Sequence, residues 1–73
     1  MKHWVLNATT DGSRVILAVD ADGYPAQVTR QVQVEGHWTN DIVIDVARET
    51  QKQVSDETLR AEGWSEIDAT DAV

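Results

Sequence analysis

The chain has 73 residues, no cysteine, and thirteen carboxylates against six basic side chains, for a net charge of −7. Its length admits one small domain. The absence of cysteine excludes disulfides and thiolate metal sites, and the acidity disfavours nucleic acid and anionic lipid as ligands. No signal peptide is visible at Met1–Ala8. No stretch approaches the roughly 20 apolar residues of a membrane span. A soluble, cytoplasmic monomer is the expectation.

The first forty residues read as a β-meander. Asp11-Gly12 and Asp22-Gly23 are two-residue hairpin signals, because such turns favour Asp-Gly. The first sets Ala8 opposite Val15, Leu6 opposite Leu17 and Trp4 opposite Val19. The second sets Val19 opposite Ala26 and Leu17 opposite Val28. Both registers put Trp4, Leu6, Ala8, Val15, Leu17, Val19, Ala26, Val28, Val32 and Val34 on one face, with Arg30 as its single charge. The other face takes His3, Val5, Asn7, Thr9, Arg14, Ile16, Ala18, Asp20, Gln27, Thr29, Gln31 and Gln33. It is mostly polar, and the register predicts a cross-strand His3–Asp20 pair. A one-residue slip would turn the apolar set to water, so agreement between the two turns supports the meander.

Residues 41–54 are ambiguous. Ile42-Val43-Ile44 is strongly β-prone, which favours a fourth strand near residues 41–46. Val43, Val46, Ala47, Thr50 and Val54 also fall at helical spacing. A helix is expected somewhere in Ala47–Glu62, with Ser55, Asp56 and Glu57 as a start signal and Gly63 as a stop. It would cover the apolar sheet face. Ser65–Val73 carries Glu66, Asp68 and Asp71 without a basic residue and reads as a disordered acidic tail. The expected fold is therefore α+β: an antiparallel meander of three to four strands with a C-terminal helix, residues 1–64 forming the domain and 65–73 a flexible tail.

Charge is uneven along the chain. Residues 1–40 hold four carboxylates against three cations, a net of −1; residues 41–73 hold nine against three, a net of −6. Such a half attracts basic protein surfaces.

Candidate chemistry is sparse. Asp20-Ala21-Asp22-Gly23 begins like a calcium loop, but Gly arrives at position four instead of six, and a hairpin turn explains it. His3 and His37 lack the third and fourth ligands that a metal site needs. Ser13, Ser55 and Ser65 have ordinary turn, cap and tail uses. Neither a catalytic group nor a cofactor is expected. Trp38, placed in the Gly36–Asn40 connection beside His37, is the best candidate for a partner-facing anchor, since Trp is frequent at interface hot spots. His37, Trp38, Asp41 and Arg30 form the candidate partner-binding set. Trp38→Ala should weaken binding without unfolding the domain. The Gln27, Thr29, Gln31 and Gln33 row is a second possible docking face.

The length, the opening Met1-Lys2-His3-Trp4-Val5-Leu6-Asn7, the acidic end and the lack of cysteine together resemble the small early transcription regulators of lytic Xanthomonas phages. The resemblance implies a non-enzymatic protein that binds the N-terminal region of the β′ subunit of bacterial RNA polymerase. It would inhibit initiation by disfavouring σ-factor engagement, and suppress termination. The rival expectation is an acidic decoy, a DNA mimic that blocks a host nucleic-acid-binding or defence protein.

Overall fold

The computed structural model describes residues 1–7 and 10–72. Ala8, Thr9 and Val73, assigned above to the apolar face, the polar face and the tail, lie outside the described residues. Five strands form one antiparallel sheet: β1 (Lys2–Asn7), β2 (Arg14–Val19), β3 (Pro25–Val34), β4 (His37–Asp45) and β5 (Ser65–Ile67), in the order β4-β3-β2-β1-β5. Helical content is minor. Helix α1 spans Asp56–Ala61, and one-turn 3₁₀ segments lie at Arg48–Thr50 and Ala69–Asp71.

The meander forms, with its first hairpin shifted. Trp4 pairs with Leu17 and Leu6 with Val15, two residues from the register that a tight Asp11-Gly12 turn would impose. The connection is longer because Asp11 folds on itself: Ser13 N–H and Oγ–H both donate to its carboxylate, at 2.9 and 2.6 Å. A shift of two preserves strand parity, so the apolar face survives. The His3–Asp20 pair does not: His3 lies opposite Ala18 and Ile67. In the second hairpin Leu17 faces Val28 as expected. A bulge beyond Ala18 sets Val19 against Pro25 instead of Ala26.

The third hairpin was not anticipated. Glu35 and Gly36 both take positive φ, 53° and 80°, which makes the two-residue turn of a right-twisted hairpin. The fourth strand is therefore longer than residues 41–46, and Trp38 lies within it, not in a connection.

Two small cores flank the sheet. On the first face Trp4, Leu17 and Val19 pack with Leu59 of α1, joined by half-buried Val28, Val54 and Trp64. Ser55 caps α1 by accepting from Thr58 N–H, and Gly63 follows at φ +96°. After α1 the chain continues into β5 and a 3₁₀ turn; the expected C-terminal helix does not form the end of the fold.

The second face corrects the reading of a free acidic tail. Ser65–Ile67 pairs with β1, and Ala72 packs on Val5 and Ile16 beside Ile67. Much of the polar face is thus covered. Gln31 is 1% exposed, Arg14 8% and Thr29 7%. Arg14 Nε–H donates to Gln31 Oε1 at 2.7 Å, and its second nitrogen donates to the Asp71 carbonyl at 2.7 Å. Gln31 Nε2 donates to Asn40 Oδ1 at 2.9 Å and to the Ala72 carbonyl at 2.7 Å. Buried polar groups demand partners, and here the C-terminal backbone supplies them. Carboxylate charge in the sequence did not forbid docking, because the contacts run through main-chain carbonyls.

Candidate docking surface

The sheet is wider than the layers that cover it. Helix α1 packs over β1 and β2, and the C-terminal segment covers the opposite side of β1–β3. The outer part of β3 and all of β4 extend past both as a two-stranded wing. Eight of the nine residues of β4 are exposed.

Side-chain alternation decides what the wing presents. Register pairs Val28 with Ile44, Arg30 with Ile42, Val32 with Thr39 and Val34 with His37, all on the α1 side. A bulge between Arg30 and Gln31 leaves Asp41 as the extra residue of β4. Val34, Ile42 and Ile44 are 51%, 49% and 55% exposed. Val43, 49% exposed, points to the other side beside Thr29. Small soluble domains seldom leave such residues together in water without a use for them.

Arg30 crosses the patch with its guanidinium held by the Asp41 carboxylate and, at 3.2 Å, by Asp11. These hydrogen bonds, with Asp41 first, raise its pKa further. Asp11 is held well down, to about 2, chiefly by the two Ser13 donors and secondarily by Arg30. Its folded pKa lies below the ordinary 3.8, so its contribution is complete above about pH 4 and disappears as pH falls toward 2. Asp11→Asn is expected to flatten the acid limb of a stability–pH profile between those values. An unchanged limb in chemical denaturation would refute this role.

The structure brings together Arg30 and Asp41 from the expected set, and separates the other two. His37 stands exposed at the start of β4 on the α1 side. Trp38 points to the opposite side, half-buried, with the Arg14 guanidinium 4.3 Å from its ring centroid. That stacking shields the buried Arg14 and gives Trp38 a structural task. The Gln row divides likewise: Gln31 is interior, while Gln27 donates to Asp45 Oδ1 at 2.9 Å. Reading the sequence missed Ile42 and Ile44 as surface residues, since a β-branched run ordinarily signals burial. The Glu35-Gly36 dipeptide between two alternating runs was the available signal for the hairpin that exposes them.

Among the described residues, no helix is long and apolar enough to cross a membrane, and no three His, Asp or Glu side chains group so as to hold a metal ion. Comparison with protein-family models, curated proteins and solved structures finds no match.

Proposed function

We propose that this chain is a non-catalytic docking protein whose partner is bacterial RNA polymerase, engaged in the cytoplasm of an infected cell through the β3–β4 wing. The observation that carries the docking role is the exposed apolar set Val34, Ile42 and Ile44, on the part of the sheet that α1 leaves uncovered. The choice of partner rests on the resemblance of the sequence to phage transcription regulators. Contact with the N-terminal region of β′ would disfavour σ engagement at promoters and suppress termination. A net charge of −7 suits approach to a basic protein surface.

The decoy reading is less favoured. Asp11, Asp20, Asp41, Asp56 and Glu66 are each engaged by cations of the chain itself, which breaks any continuous row of free carboxylates. A mimic of duplex DNA needs about one charge per 1.7 Å.

Affinity capture from bacterial lysate tests the proposal. The wild-type protein should recover polymerase subunits, and an Ile42→Lys/Ile44→Lys variant with unchanged circular dichroism should recover at least tenfold less, given the weight of central apolar anchors. The bound polymerase should form fewer σ-dependent open complexes. Recovery of no polymerase subunit by the wild type would sink the reading.

A further inference from the structure

We propose that the α1 side of the β3–β4 wing is the berth for one amphipathic helix of the partner, apolar along one stripe and carrying Lys or Arg beside it. This deepens the docking reading above and rests on it. A sheet face that carries apolar side chains is stable when a second layer covers it. On this face Leu59 of α1 covers Trp4, Leu17 and Val19, which belong to β1 and β2. Beyond Val28, which borders that cluster, the face continues through Val34, Ile42 and Ile44, each about half exposed. Neighbouring strands lie about 4.8 Å apart, so the midline of β3–β4 is about 10 Å from the midline of β1–β2. Two helices packed side by side have axes about 8–10 Å apart. The wing thus offers the place of a second helix next to α1. The bulge at Asp41 twists β4 and disfavours an added strand at its edge, which leaves the face as the docking element.

Size and charge select the occupant. Two strands make a strip about 10 Å wide, and the seven residues from Val28 to Val34 make it about 20 Å long. Its projected area, about 200 Å², falls well short of the roughly 800 Å² that each partner buries in a standard interface between globular proteins. It fits one helix of about 13 residues, which is about 20 Å long and 10 Å across. The rim is acidic on the same side as the apolar patch. Asp11 and Asp41 share the single Arg30 guanidinium, which leaves one negative charge in excess. Glu35 stands exposed at the wing tip. Asp56 and Arg60 of α1 reach Lys2 and Glu66, toward β5. The opposite flank of α1, which carries Thr58 and Glu62, therefore looks toward the wing. Asp45 takes no part, since it accepts from Gln27 on the other face. A second copy would bring the same carboxylates against this rim, and at −7 per chain it is repelled. A helix with cations beside its apolar stripe is attracted.

The test titrates methyl-labelled protein with the capped peptide Ala-Lys-Leu-Ala-Lys-Leu-Leu-Ala-Lys-Leu-Ala-Lys-Leu, whose leucines form one helical stripe with the lysines beside it. Val43 is the internal control, because it is as exposed as Ile42 but lies on the opposite face. Methyl shifts should appear at Val34, Ile42 and Ile44 and spare Val43. Ile42→Lys, with unchanged circular dichroism, should weaken binding about tenfold, and Val43→Lys less than about twofold. A scrambled peptide of the same composition and charge, without the stripe, should bind about tenfold more weakly, and so should a peptide with Glu for every Lys. The peptide should gain helical circular dichroism on binding. Shifts at Val43 equal to those at Ile42 overturn the proposal, as do shifts confined to the C-terminal segment. Equal binding of the scrambled or Glu peptide overturns it too, and so does self-association through the wing at the same concentrations. If the peptide fails while polymerase is still captured, the helix berth falls and the docking reading stands. Binding of the peptide at the wing with no polymerase captured leaves the site and removes the partner.

Discussion

Trp4→Ala is expected to remove a large share of the folding stability of the chain. Trp4 is fully buried and is the largest side chain of the core it shares with Leu17, Val19 and Leu59. Deleting a buried Trp costs about 3–5 kcal/mol through lost transfer energy and the cavity left behind. A 73-residue chain has roughly 4–11 kcal/mol in total at the usual 0.05–0.15 kcal/mol per residue. The loss therefore consumes most of the stability at the low end of that range. Half-buried Val28, Val54 and Trp64 lie around this cluster and offer little apolar material to refill it. A milder variant makes the mechanism separable. The indole Nε1–H of Trp4 is buried without a hydrogen-bond partner, which itself costs about 1–3 kcal/mol. Trp4→Phe removes that orphan donor while keeping most of the ring contact. It should cost at least about 2 kcal/mol less than Ala. Urea unfolding followed by circular dichroism measures both. Equal losses for Ala and Phe would show that the site does not act by cavity and volume.

Gln31→Leu should release the C-terminal segment from the sheet. Leucine matches the glutamine in size but offers neither donor nor acceptor. Arg14 Nε–H, Asn40 Oδ1 and the Ala72 carbonyl would each lose a partner. An unsatisfied buried group costs about 1–3 kcal/mol, and detachment of the segment lets water repair part of the deficit. The expected net loss is about 2–3 kcal/mol. Its distribution is the sharper readout. Amide hydrogen exchange should accelerate most in Ser65–Ala72 and less in β2 and β3, where the strand ladders persist. Uniform acceleration across the sheet would mean that Gln31 serves the whole core instead of fastening the segment. Arg14 should respond in the same experiment. Burial already pushes its pKa down, so it gains from neutral oxygen partners and suffers when they leave.

Much of the fold follows from residues close in sequence. Asp22-Gly23 specifies its hairpin, and the Trp4, Leu17, Val28 face follows from period-two alternation once the turns are placed. Even the altered first register kept that face, because a shift of two residues is invisible to parity. Ser55 and Gly63 bracket α1 by capping chemistry that is equally local. The candidate surface was only half legible. Arg30 stood out as a charge on an apolar face, and its partners come from two places, Asp11 from the β1–β2 connection and Asp41 from the bulge of β4. Trp38 drew attention as a tryptophan, yet its ring lies on Arg14, on the other side of the sheet from Ile42 and Ile44.

What the sequence by itself determined is therefore the first three strands, the apolar face they share and the excess of negative charge after Asn40. Each depends on spacing or on counting. What only the tertiary structure decided is which surfaces stay open. Ser65–Ala72, acidic and polar, is drawn onto the sheet because Arg14 and Gln31 need its backbone carbonyls. Ile42-Val43-Ile44, the most strand-prone run of the chain, stays at the edge because nothing remains to cover it. Burial depends on which elements are left to pack against a face, and that is a property of the assembled sheet, not of any window of residues within it.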